Sequence, residues 1–196
     1  MKKNAKFQSG RKNPLIKALG ILIQWLDSAQ VEYMIFGGIA NSVYGNPRQT
    51  FEIDLKVILE PPRTTQWLIK NVQAIAAILP DRPRDFLDQT HVLPVQIAGV
   101  GVDIVQAILP FEIEAIRRSV QIQYAGLEFR LCTVEDLIIH KVVSERPKDW
   151  DDVRTIIRQQ AHRLDRRYLF QHCRDLSQLL TRPEILNTIA RWLDEA

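Results

Sequence analysis

Two carboxylates one residue apart, Glu52 and Asp54, stand in a run whose odd positions, Phe51, Ile53, Leu55, Val57 and Leu59, are apolar and whose even positions are Glu52, Asp54 and Lys56. A period of two is that of a β-strand, so the acids share one face with their Cα atoms about 6.5 Å apart. Such a pair repels itself unless a cation sits between its members. Asp103 is a third acid of this kind, the lone charge in the apolar run Gly-Val-Asp-Ile-Val. If that strand lies beside the first, the three carboxylates make an all-oxygen site for hard divalent cations. Two such ions about 3.5–4 Å apart can clamp both the attacking and the leaving oxygen of a phosphoryl displacement.

Upstream, the apolar run Tyr33 to Phe36 enters Gly37-Gly38 and then a helix-like segment, Ile39 to Tyr44, closed by the turn signals Gly45-Asn46-Pro47. A strand passing through two glycines into a helix leaves N–H groups unpaired at the positive end of the helix dipole, where a phosphate can approach without meeting a Cβ. Downstream, Thr133 is a good N-cap for a helix on which Val134, Leu137, Ile138 and Lys141 share one face. A cation at an apolar position needs anions nearby, or else it snorkels from the helix edge. Arg146-Pro-Lys-Asp149-Trp-Asp-Asp152 follows at once. Its acids either belong to the site or favour the dipole of the helix reaching to Gln160.

Taken together, Gly37-Gly38, Glu52-x-Asp54 and Asp103, with Arg48-Gln-Thr50 just before the pair, resemble the nucleotidyltransferase superfamily of polymerase-beta-like fold. With Lys141 and the segment from Arg146 to Asp152 included, the resemblance is closest to the AbiEii-like toxin nucleotidyltransferases and covers about residues 15 to 160. It implies an α/β (α+β) fold, a mixed sheet flanked by helices with a C-terminal helical subdomain. Its implied reaction moves an NMP from an NTP to an acceptor hydroxyl, with two Mg2+ ions held by Glu52, Asp54 and Asp103. Gly37, Gly38, Arg48, Thr50, Lys141 and Asp149, or Asp152 in place of Asp149, would bind the nucleotide. RNA, particularly a tRNA end, is the implied acceptor, and a cognate antitoxin protein the implied partner. One departure stands out: the family's first carboxylate is usually Asp, and Glu52 is a methylene longer. The alternative is a catalytically impaired nucleotide- or partner-binding relative, in which Lys56 pairs with Asp54 and replaces the cation. A plain interaction module with solvated acids is a further one.

The elements that must position these residues can be read along the chain. Pro14 to Gln30 is expected as a helix with the apolar stripe Leu15, Leu19, Leu22, Ile23 and Leu26. Trp67 to Leu79 is expected as another, capped by Thr64 or Thr65 and ended by Pro80-Asp-Arg-Pro83. Val92 to Ile97 and Val100 to Leu109 read as strands, Phe111 to Ser119 as a short helix, and Val120 to Tyr124 with Leu127 to Cys132 as a hairpin. Tyr168 to Leu180 and Pro183 to Leu193 read as two closing helices. The expected division is a core over 14–132 and a helical subdomain over 133–196 that completes the cleft.

Composition bounds the rest. With 46% hydrophobic and 25% charged residues over 196 positions the chain is an ordinary globular one. No apolar run is long enough for a membrane span and no signal-peptide h-region is visible, and Cys132 and Cys173 are unpatterned, so a reduced cytoplasmic setting is expected. The net charge of +3 is uneven: Lys2, Lys3, Lys6, Arg11 and Lys12 sit in an acid-free stretch that reads as a disordered basic tail over 1–13, an arm for RNA or a solubilising end. Arg158, His162, Arg163, Arg166 and Arg167 form a second basic cluster, suited to RNA or simply a solvated helix face. The four histidines show no ligand spacing, so no zinc is assigned, and neither a Gly-x4-Gly-Lys-Ser/Thr loop nor a Gly-x-Gly-x-x-Gly turn is present.

Overall fold

The structure, a computed structural model, describes residues 13–47 and 49–196. The basic residues of the expected tail, Lys2 to Lys12, and Arg48 lie outside the described residues. Helix α1 (Pro14–Ala29) starts where its sequence says it should: Pro14 occupies the first turn and the Asn13 side chain accepts from the Leu15 N–H at 3.0 Å. Its stripe of Leu15, Ala18, Leu19, Leu22, Ile23 and Leu26 is buried. Next come β1 (Tyr33–Phe36), α2 (Gly37–Tyr44), β2 (Glu52–Val57), α3 (Thr65–Val72), β3 (Ala77–Ile78), α4 (Pro83–Thr90), β4 (Val92–Ile97) and β5 (Val100–Gln106). Then α5 (Pro110–Arg118), the hairpin β6 (Val120–Tyr124) and β7 (Leu127–Leu131), and the helices α6 (Val134–Val142), α7 (Pro147–Gln160), α8 (Arg166–Leu179) and α9 (Glu184–Asp194) complete the chain.

The strands form one mixed sheet in the order β3-β4-β5-β2-β1-β7-β6, with β5 parallel to β2 and β7 parallel to β1. Register fixes what each face carries. Ile53, Leu55 and Val57 of β2, Val102 and Ile104 of β5, and Leu93, Val95 and Ile97 of β4 are buried, and α1 packs on these three strands. The opposite face is where the polar residues fall. Phe36, Asp54, Asp103 and Pro94 make one cross-strand row, and Glu52, Gly101 and Gln96 the next. Helix α2 packs on β1 and β2 here, with α6 against α2, whereas Gly101, Asp103 and Pro94 stay half-buried and Gln96 exposed.

One stretch departs from expectation. The helix expected over Trp67 to Leu79 stops at Val72, and Ala77–Ile78 instead joins the sheet as an edge strand against β4. Leu79, expected to face inward, is 55% exposed. The six-residue apolar run Ala74 to Leu79 satisfies a helix face and a strand equally, and the free edge of β4 decides it. Pro83, expected to terminate a helix, begins α4, because its missing N–H costs nothing in a first turn. The strand expected from Phe51 starts at Glu52, leaving Phe51 71% exposed.

The C-terminal helices are tied to the core by a polar clasp. Tyr168 of α8 donates its hydroxyl to Asp136 Oδ1 at 2.8 Å, the Asp165 N–H donates to Glu135 at 2.8 Å, and the Arg118 guanidinium lies 3.6 Å from the Tyr168 ring centre. No helix among the described residues is long and apolar enough to cross a membrane. Both cysteines are buried free thiols.

Candidate active site

Helix α2 begins without a side-chain cap, from the extended Phe36 into Gly37 at a φ of +59°. That left-handed turn aims the next amide at β2, and the Gly38 N–H donates to Asp54 Oδ2 at 3.1 Å. Both glycines are required by space as well. A Cβ on Gly37 would lie 1.9 Å from Asp54 Oδ2, and one on Gly38 would lie 2.5 Å from Thr50 Oγ1. Thr50 in turn donates to the Glu52 carbonyl at 3.1 Å, which fixes the entry to β2. The sequence reading reserved the glycine amides for a triphosphate; one of them is engaged by Asp54.

Asp103 is the direct cross-strand partner of Asp54, and Glu52 pairs with Gly101. In a sheet, paired residues point to the same side, so the three carboxylates share a face. Burial pushes the Asp54 carboxyl above its ordinary value; the Gly38 amide draws it back, and the charges of Asp103 and Glu52 add to the rise. Asp103 is raised by burial and by Glu52. Among the described residues no three acidic, His or Cys side chains are drawn together into a metal cluster. The donor set nevertheless fits a hard divalent ion: all ligands are oxygens on adjacent strands, and the repulsion felt by Asp54 and Asp103 is what such an ion relieves.

Facing this surface is a cleft of about 240 Å3, bordered on the sheet side by Phe36, Gly37, Gly38, Thr50, Glu52 and Asp54. Its other wall is Leu137, His140 and Lys141 of α6, with Ser144, Arg146, Lys148 and Asp149 beyond. Lys141 is buried at 7% exposure and its ammonium donates to Asp149 at 2.9 Å and to Asp152 at 2.7 Å. The anions that its apolar position called for are therefore both acids of α7. Burial alone would raise Asp149, but the donors of Lys141 and, at 2.7 Å, of Arg146 hold it down at about 2. The charge of Lys141 also reaches Asp54. The basic cluster of Arg158, His162, Arg163, Arg166 and Arg167 lies outside the cleft lining: Arg163 sits over the Tyr44 ring at 5.5 Å and Arg166 donates to the Leu193 carbonyl at 3.2 Å.

Lys56 does not pair with Asp54. Its buried ammonium donates to Glu112, contacts His140 Nε2 at 3.1 Å and lies 5.4 Å from the Phe36 ring centre. Glu112 also accepts from the Ile108 and Leu109 N–H groups at 2.9 and 3.1 Å. Since His140 Nδ1 meets the Asp136 carbonyl at 2.7 Å, that nitrogen carries the proton and Nε2 accepts from Lys56. Burial and the Lys56 charge bring His140 down to about 4. This neutral His140 is a cleft residue that sequence reasoning missed, as was Ser144. The one available signal was a lysine on the acid face of β2; its partner lies 56 residues on and has no local signature.

A glycine-started helix against paired carboxylates on adjacent parallel strands, on a mixed sheet of seven strands among the described residues, is the nucleotidyltransferase architecture. The chain belongs to the family described as nucleotidyl transferases of unknown function (DUF2204), whose model matches residues 16–182. An antigenic nucleotidyltransferase-like protein from Paracoccidioides brasiliensis has a similar structure, with a TM-score of 0.56 at 16% identity over 92% of each chain. The crystal structure of ANT(2'')-Ia in complex with adenylyl-2''-tobramycin gives a TM-score of 0.53 at 18% identity, over 74% of this chain and 89% of that one. Its solution structure, described as that of an antibiotic-resistance factor, gives 0.52 at 17% identity over 74% and 83%. No curated protein matches the sequence.

Proposed function

We propose that the protein moves an NMP from an NTP to an acceptor hydroxyl with release of pyrophosphate, using two Mg2+ ions held by Glu52, Asp54 and Asp103. The observation that carries this is the β2–β5 register, which sets Asp103, itself outside the cleft lining, beside Asp54, which lines the cleft across from Lys141. Bound Mg2+ would supply neutralisation of the phosphate charge and lower the pKa of the attacking hydroxyl. The chain's own residues do the rest. Gly37, by lacking a Cβ, leaves room for the Asp54 carboxylate to sit against the Gly38 amide on the floor of the cleft. Lys141, held in place by Asp149 and Asp152, meets charge as it develops on the leaving phosphates, and the exposed Arg146 and Lys148 attract the polyanion to the rim. Asp103 takes the acceptor proton.

The AbiEii-like resemblance extends this reading to RNA, particularly a tRNA end, as acceptor, to a cognate antitoxin as partner, and to the cytoplasm. The adenylyl-tobramycin complex of a fold neighbour adds an antibiotic hydroxyl as another acceptor to assay. In the impaired-relative reading the Lys56–Asp54 pair falls away, because Lys56 is committed to Glu112, and the longer Glu52 is its remaining ground.

Transfer of label from each of the four α-labelled NTPs, with Mg2+ and either total tRNA or an antibiotic panel, tests the proposal. Labelled product is expected with the wild type and none with Asp54→Ala. A wild type that neither labels any acceptor nor binds NTP in an Mg2+-dependent way would remove the enzymatic reading.

A further inference from the structure

Two oddities of the sequence meet at one place on the sheet. Glu52 is longer than the two acids it stands with, and its cross-strand partner is a glycine, Gly101, inside a strand paired on both sides. A central strand disfavours glycine. Gly101 does not have the positive φ that would require one, and an added Cβ there would meet no backbone atom of β4 or β2. What it leaves is room: a Cβ there would meet a single side-chain atom within 4 Å, Glu52 Cγ at 3.5 Å. The Glu52 side chain therefore lies against Gly101, with its Cγ at van der Waals distance from where a Cβ would stand. Its charge is felt at both Asp54 and Asp103.

We propose that Gly101 is a positioning residue for Glu52: the Cβ-less place on β5 receives the extra methylene of the longer acid, so that its carboxylate joins Asp54 and Asp103 as an aspartate in that place would. This rests on the metal-assisted reading above and adds that residues 52 and 101 act as a matched pair. A bulky residue at 101 then displaces a glutamate from the site and leaves a shorter acid largely undisturbed.

Mn2+ binding followed by electron paramagnetic resonance, in wild type, Gly101→Val, Glu52→Asp and the double variant, tests the pairing without recourse to turnover. Valine suits a strand better than glycine does, so an unchanged or higher thermal midpoint accompanies each Gly101→Val variant. Gly101→Val is expected to weaken Mn2+ about tenfold with Glu52 present and about twofold or less with Glu52→Asp, a coupling of the size seen between touching side chains. Should valine disturb the sheet, Gly101→Thr, with the same branching at Cβ, gives the same sign in the same two backgrounds. Equal losses in both backgrounds, or none in either, overturn the pairing alone. A wild type that binds no Mn2+ overturns the metal-assisted reading and the pairing with it.

Discussion

At Gly37 two separate demands fall on one residue. Its φ of +59° is in the left-handed region, and its missing Cβ is where Asp54 Oδ2 sits. Gly99 provides a comparison within the same chain, since its φ of +84° is also left-handed but no atom lies within 4 Å of an added Cβ. Alanine at either position costs about 1–2 kcal/mol of backbone strain. Only Gly37→Ala also drives the Asp54 carboxylate from the Gly38 amide. Urea denaturation is expected to show both variants destabilised, whereas nucleotidyl transfer is lost in Gly37→Ala and kept in Gly99→Ala. Transfer surviving in Gly37→Ala would mean that the Asp54–Gly38 contact has no part in the chemistry.

Strand β2 shows how much an element can declare of itself and where that stops. Alternation at period two announced the strand, its buried face and the common side of Glu52, Asp54 and Lys56, because those depend only on the chain's own geometry. The pairing of Asp54 with Asp103 could be stated only as a condition, since register between distant strands is set by the whole sheet. Ala76 to Leu79 was misread for the converse reason, its local pattern being ambiguous and the deciding partner, β4, lying further along the chain. Lys56 is the sharpest case. Its face was legible and its partner was not, so Asp54 on the same face was offered as its partner only in the alternative reading, and Glu112 not at all. Cutting that buried pair on one side leaves a charge uncompensated. Lys56→Met is expected to cost about 3–5 kcal/mol, with the Ile108 and Leu109 amides limiting the loss, and Lys56→Met/Glu112→Gln to recover most of it. Denaturant titration of the two singles and the double measures the coupling; simple additivity would show that the pair contributes little.

At the scale of the whole molecule, the sheet's second face is held together by groups that titrate against one another, and this gives stability a definite pH dependence. His140 is enclosed by Lys56, Glu112, the Asp136 carbonyl and the rings of Phe36 and Phe111. It titrates at about 4 in the folded protein, against an ordinary value of 6.5. Between those values the unfolded chain takes up a proton that the folded one refuses, so stability falls as pH is lowered from 6.5 toward 4. The gap amounts to about 3 kcal/mol. Glu112 and Asp149, both held below their ordinary values, extend the loss to lower pH. Asp54, Asp103 and Asp136 oppose it: their raised carboxyls protonate earlier in the folded state, which gains stability as pH falls through their folded values toward 3.8. Thermal unfolding of wild type and His140→Asn from pH 7 to 4 separates the contributions. The wild-type midpoint is expected to fall across this range and the variant's to stay flat or rise slightly as the three raised acids protonate. Parallel curves would mean that His140 is not the neutral, enclosed imidazole that its contacts with Lys56 and Asp136 make it.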